Sequence, residues 1–216
     1  MAASKSKDAE SRVFSNDAVT PYGIEFTVRG VRAFFFNAPN VDAYVAADER
    51  RKAGVKRLQE PDYEQKVWRD EGALAVEGSQ FIKAMAEMAR GVPDPTKSGA
   101  KSMRPIIPTA FSVKEEFCRF FTRNGHGPEP VESWDAIDMR LGRLGTSMGP
   151  IRRPVLHAGW TTNFTLLCIW PEVFSPADCV GLVTRAGQRG IGDAVRIGMG
   201  RFVVVEVSEP HEIAWT

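Results

Sequence analysis

Residues 175–207, "SPADCVGLVTRAGQRGIGDAVRIGMGRFVVVEV", carry the punctuation from which the fold of this chain is read. Ser175 is a capping residue, Pro176 suits a first helical turn, and Asp178 completes a capping box. Cys179, Val183 and Ala186 then recur at helical spacing, and Gly187 is expected to end the helix in a left-handed conformation. Five glycines (187, 190, 192, 198 and 200) and four arginines crowd 185–202, with Asp193 the single acid. Glycine is entropically costly, so this density marks backbone that turns tightly or approaches something closely. "FVVVEV" (202–207) is a β-branched run expected to form a central strand buried on both faces.

Working outward, "GWTTNFTLLCIW" (159–170) reads as a strand with Thr162, Phe164, Leu166 and Cys168 on one face. "GIEFTVRG" (23–30) alternates, with Ile24, Phe26 and Val28 inward and Glu25, Thr27 and Arg29 outward. Phe81, Ile82, Met85, Met88 and Ala89 recur at helical spacing before Gly91, which predicts a helix over 79–90. An extended stretch over about 105–121 is interrupted by Pro108. The order is strand, helix, strand, strand, helix, strand. That is an α+β fold with a ferredoxin-like, RRM-like βαββαβ core. Residues 1–20 read as a flexible tail or inter-subunit arm. Residues 21–216 read as one domain with a charged helical insertion at about 45–72 and loops at about 91–104 and 122–155.

The chain has 216 residues and a net charge of +1, so any affinity for a polyanion must come from a local patch. Cys118, Cys168 and Cys179 show no CxxC spacing and read as buried reduced thiols, which favours the cytoplasm. No apolar run approaches the roughly 18 residues of a membrane span. "GIGDAVRIGMG" (190–200) resembles a dinucleotide fingerprint, but Val195 stands at the third glycine position. Its context is helix–loop–strand, whereas phosphate on a helix dipole needs strand–loop–helix. GxxxxGK[ST], HExxH and GxSxG are absent, and His126, His157 and His211 are isolated. No metal, cofactor or catalytic residue is expected. His157, beside the basic stretch, is either a structural residue or an acid/base group for RNA cleavage.

From 140 to 201 there are eight arginines (Arg140, Arg143, Arg152, Arg153, Arg185, Arg189, Arg196, Arg201) and no lysine, against three acids. Guanidinium forks suit phosphate contacts and base stacking. Gly190, Gly192, Gly198 and Gly200 would let backbone N–H groups approach a phosphate. The competing reading is a solvated basic face with structural turns. Trp134, Trp160 and Met148 are candidate stacking groups, with Trp160 equally suited to the core.

The segments "VEGSQFIKAMAEMARG" (76–91) and "RAGQRGIGDAVRIGMGRF" (185–202) resemble the first-helix opening and the glycine-rich loop of the RAMP superfamily. These are the RRM-like subunits that hold RNA in CRISPR effector complexes. The resemblance is best over about 138–207 and weaker over 72–92; Glu77-Gly78-Ser79 stands where such proteins often have proline-glycine-serine. The stretch from "IRRPVLHAGWTTNFTLLCIW" to "GRFVVVEV" also resembles uncharacterised bacteriophage proteins. The resemblance implies a non-enzymatic protein that binds single-stranded RNA or DNA, oligomerises along it, and uses "DMRLGRLGTSMGPIRR" (138–153) as a thumb. A bacteriophage structural or regulatory protein acting through protein–protein contacts is the alternative.

Overall fold

The computed structural model of the chain describes residues 20–38, 49, 52–53, 63–94, 96–97, 102–123, 128–144 and 147–213, with the backbone alone at 123, 128, 142–144 and 147–150. Residues 1–19 of the tail and most of the charged insertion lie outside the described residues.

Strand β1 (Tyr22–Gly30) runs antiparallel to β10 (Thr161–Cys168), with Ile24, Phe26 and Val28 opposite Leu166, Phe164 and Thr162. Opposed residues in a pair point to one face, so the two alternating patterns merge into a single buried surface. Helix α1 (Ser79–Met88) and helix α3 (Pro176–Arg189) both pack on that face. Phe81 of α1 stacks on Phe164 at 4.0 Å, and Phe164 stacks on Phe26 at 5.4 Å. Ser175 accepts from the Asp178 amide while the Asp178 carboxylate accepts from the Ser175 amide, the reciprocal cap expected there.

The remaining elements are β2 (Phe34–Phe35), β3 (Trp68–Asp70), β4 (Ala73–Glu77), the short helix α2 (Ile107–Ala110), β5 (Phe111–Val113), β6 (Phe117–Arg123), β7 (Pro128–Pro130), β8 (Ala136–Leu144), β9 (Ser147–Leu156), β11 (Phe202–Val207) and β12 (His211–Glu212). The larger sheet has the order β11-β1-β10-β6-β4-β3, with β12 also paired to β1, β5 to β10 and β7 to β6. The smaller sheet is β2-β9-β8, and every pairing is antiparallel. The fold is therefore mixed α+β, with a large antiparallel sheet and few helices.

Several local expectations are corrected. The β3–β4 hairpin enters between β1 and α1, so α1 opens from β4 rather than following β1. The stretch about 105–121 divides into α2, β5 and β6, because Pro108 falls in the first turn of a one-turn helix. Helix α3 continues past Gly187, which is buried against Phe202, and ends at Gly190 with φ +91°. β11 lies at the sheet edge, paired with β1 alone among the described strands, and Val203 and Val207 are about two-fifths exposed. Residues 122–155, read as a loop, contain β7, the whole of β8 and nearly all of β9.

Candidate nucleic-acid interface

What the glycine-rich loop approaches is the protein itself. The amide of Asp193 donates to the Phe35 carbonyl at 2.9 Å, and that of Gly200 to the Ala33 carbonyl at 2.8 Å. Gly192 donates to Oε1 of Gln80 on α1 at 2.8 Å, and Ile191 to the Gly200 carbonyl at 3.1 Å. The amides of Gly190, Gly198 and Met199 also donate within the chain. A backbone cradle for phosphate needs free N–H groups, and most in this loop are engaged. Gly200 (φ +67°) is required for closeness: a Cβ there would overlap the Ile191 carbonyl. Gly190, Gly192, Gly198 and Gly200 thus shape a loop that grips β2 and α1.

That grip brings the loop beside the β8–β9 hairpin, because Phe34 and Phe35 of β2 also pair with Leu156 and Val155 of β9. The pleat sends neighbouring residues to opposite faces, so the adjacent arginines on β9 have different surroundings. Arg153 faces the loop, donating from Nε to Oδ2 of Asp193 in an ion pair, with its side chain 12 % exposed. It stands opposite Asp138, whose carboxylate receives Nε of Arg140 at 2.9–3.0 Å, and the Arg140 guanidinium lies 5.0 Å from the centre of the Phe35 ring. Arg152 stands opposite Met139 on the other face and makes no ion pair among the described residues. On that face Ile137, Met139 and Leu141 are 37, 62 and 78 % exposed. Arg143 lies opposite Met148 near the hairpin end, where the backbone alone is described.

Arg196 sits on the single 3-10 turn of the loop and Arg201 just before β11; both are exposed. Arg29 and Arg32, far in sequence from the arginine-rich 140–201 stretch, are carried to this region by β1–β11 pairing. Arg29 stands opposite Val203, and the Arg32 amide donates to the Arg201 carbonyl at 3.3 Å. The alternating "TVRGVR" pattern shows Arg29 as outward, but no local signal ties it to a strand at the far end of the chain.

Arg185 and Arg189 belong elsewhere. Arg185 donates to the Gly181 carbonyl one turn back on α3. Arg189 lines a groove of about 910 Å³ between α1, α2 and β5, together with Lys83, Arg104, Glu77 and Glu116. Trp160 is core, 3 % exposed and bonded through Nε1 to the Arg32 carbonyl, so it is no stacking platform; Trp134 packs against the core. His157 is exposed, its amide donating to Oδ2 of Asp135 and its Nδ1 3.7 Å from the same oxygen. The three cysteines are buried free thiols. Burial pushes the Cys118 thiol up to about 12, while the Cys179 thiol beside Cys168 draws Cys168 down to about 7. Among the described residues no helix is long and apolar enough to cross a membrane, and no group of three or more metal-ligating side chains gathers.

No protein-family model matches the chain, and no curated protein does either. Two of the solved structures to which the chain is similar are the following. One is a chain of the type III-B Cmr-beta assembly bound to cognate target RNA, 10 % identical with a TM-score of 0.47 over 89 % of this chain. The other is Cmr6 from Pyrococcus furiosus, 12 % identical with a TM-score of 0.44 over 86 % of this chain. This chain spans 61 % of the first and 98 % of the second.

Proposed function

We propose that this protein binds single-stranded nucleic acid without cleaving it, through arginines on the β8–β9 hairpin and the glycine-rich loop. The observation that carries the reading is the outer face of the hairpin. There, Arg152, free of ion pairs among the described residues, stands directly opposite exposed Met139 and beside Leu141. A cation for phosphate next to apolar surface for base faces is the combination that grips a strand whose bases are unpaired. Arg196, Arg201 and Arg32 extend the basic surface through the loop that β2 ties to the hairpin. Affinity comes mainly from phosphate contacts and carries little base preference.

The strand order β11-β1-β10-β6 supports reading the sheet as a βαββαβ core, with β3–β4 added on the outer edge of β6. On this reading several copies associate along one strand, as the RAMP-like sequence segments imply.

The test is fluorescence anisotropy with labelled single-stranded RNA, single-stranded DNA and duplex at about 50 and about 200 mM salt. Single-strand binding that falls steeply with salt, with the strand recovered at full length, supports the proposal. Folded protein that binds none of the three refutes it, and the exposed stripe on β8 then belongs to a protein partner.

A further inference from the structure

We infer that Asp193 is a positioning residue, which clasps Arg153, holds the hairpin and the loop at a set angle, and withdraws Arg153 from the nucleic-acid-binding arginines. This rests on the function proposed above. Asp193 is the only acid in a loop with two exposed arginines, so simple electrostatics would count it against polyanion binding. Its geometry gives it another task. Oδ2 takes Nε of Arg153 on β9, Oδ1 accepts the Ala194 amide at 2.8 Å, and its own amide donates to Phe35 of β2. One residue thus contacts the hairpin, the loop and the strand between them.

The circuit is closed on both sides. The Phe36 amide donates to the Pro154 carbonyl at 3.0 Å, next to Arg153, and Gly192 is held by Gln80 next to Asp193. Ala194 adopts a left-handed φ of +58°, a conformation that a side-chain bond from the preceding aspartate helps to hold. At 12 % and 30 % exposure the Arg153–Asp193 pair is screened by salt less than a surface pair. The adjacent arginines therefore divide the work: Arg152 meets the ligand, and Arg153 orients the elements that carry it.

The experiment compares Arg152→Ala, Arg153→Ala, Asp193→Ala and the double variant Arg153→Ala/Asp193→Ala in the full chain. Two readouts are used: single-strand affinity against salt, and amide hydrogen exchange of the free protein. The expected result is that Arg153→Ala and Asp193→Ala each weaken binding about tenfold without flattening the salt dependence. The double variant is no weaker than the worse single, because the two act as a unit. Arg152→Ala alone flattens the slope. In the free protein, Asp193→Ala speeds exchange at Gly192, Asp193 and Gly200 and at Phe36, and leaves the β1–β10 amides protected. A slope flattened as much by Arg153→Ala as by Arg152→Ala overturns the inference, and so does unchanged exchange in the loop. Wild-type protein that binds no strand refutes the proposed function, and the exchange result still decides whether the clasp positions the loop.

Discussion

Under the proposed function, replacing Arg152 by alanine removes one phosphate contact from a countable set. The proposed surface comprises Arg32, Arg152, Arg196 and Arg201, none of which makes an ion pair among the described residues; Arg140 and Arg153 are held by Asp138 and Asp193. Each phosphate neutralised on a single strand contributes about −0.7 to the slope of log affinity against log salt. Four contacts predict a slope of about −2.8, and a roughly fiftyfold loss of affinity for a fourfold rise in salt. Arg152→Ala should leave about −2.1, a loss of roughly twentyfold over the same range. The assay is an anisotropy titration of wild type, Arg152→Ala and Arg153→Ala at four or more salt concentrations. A wild-type slope in Arg152→Ala refutes the reasoning, because the outer face of the hairpin would then not touch the backbone.

Three predictions concern the framework. Gly200→Ala places a Cβ into the Ile191 carbonyl at φ +67°, and should cost about 2–3 kcal/mol or more; Gly198→Ala, with φ +83° and only the Arg201 guanidinium 3.5 Å away, should cost about 1 kcal/mol, as read by thermal melting. The Thr162 hydroxyl is buried with no hydrogen-bond partner among the described residues, so Thr162→Val should raise stability by about 1 kcal/mol in a denaturant titration. Hydrogen bonds from the Thr96 hydroxyl and amide hold the Asp94 carboxyl below its usual 3.8. A depressed carboxylate stabilises the fold above its ordinary value and loses that contribution as pH falls through the folded one. Thr96→Ala should therefore lower the melting temperature at neutral pH, with the difference from wild type shrinking in acid below the ordinary carboxylate value. A difference that stays constant down to acid would remove the carboxylate from the explanation.

The alternating strands and the capped helix were legible because their signals are local. In β1 and β10 the inward residues repeat every second position, and burying them together satisfies both strands. The Ser175–Asp178 cap needs only four consecutive residues. β11 misled for a corresponding reason. Three successive valines signal extended backbone, but which flank lies open depends on which strands pair, and β1 alone among the described strands pairs with it. The hairpin was missed because glycine and proline at Gly142, Gly149 and Pro150 resemble loop residues, while their cross-strand register is a property of two segments together.

By itself the sequence determined the mixed α+β character, the apolar faces of β1, β10, α1 and α3, and a concentration of arginine in the C-terminal half. Tertiary structure alone decided where each arginine lies and what holds it. Arg152 and Arg153 are neighbours of the same type, given different surroundings by the pleat that turns one outward and the other onto Asp193. It also decided that the glycines close the loop on β2 rather than open it to phosphate. Charge and glycine content belong to residues one at a time, whereas a free cation or a free amide depends on partners that only folding brings within bonding distance.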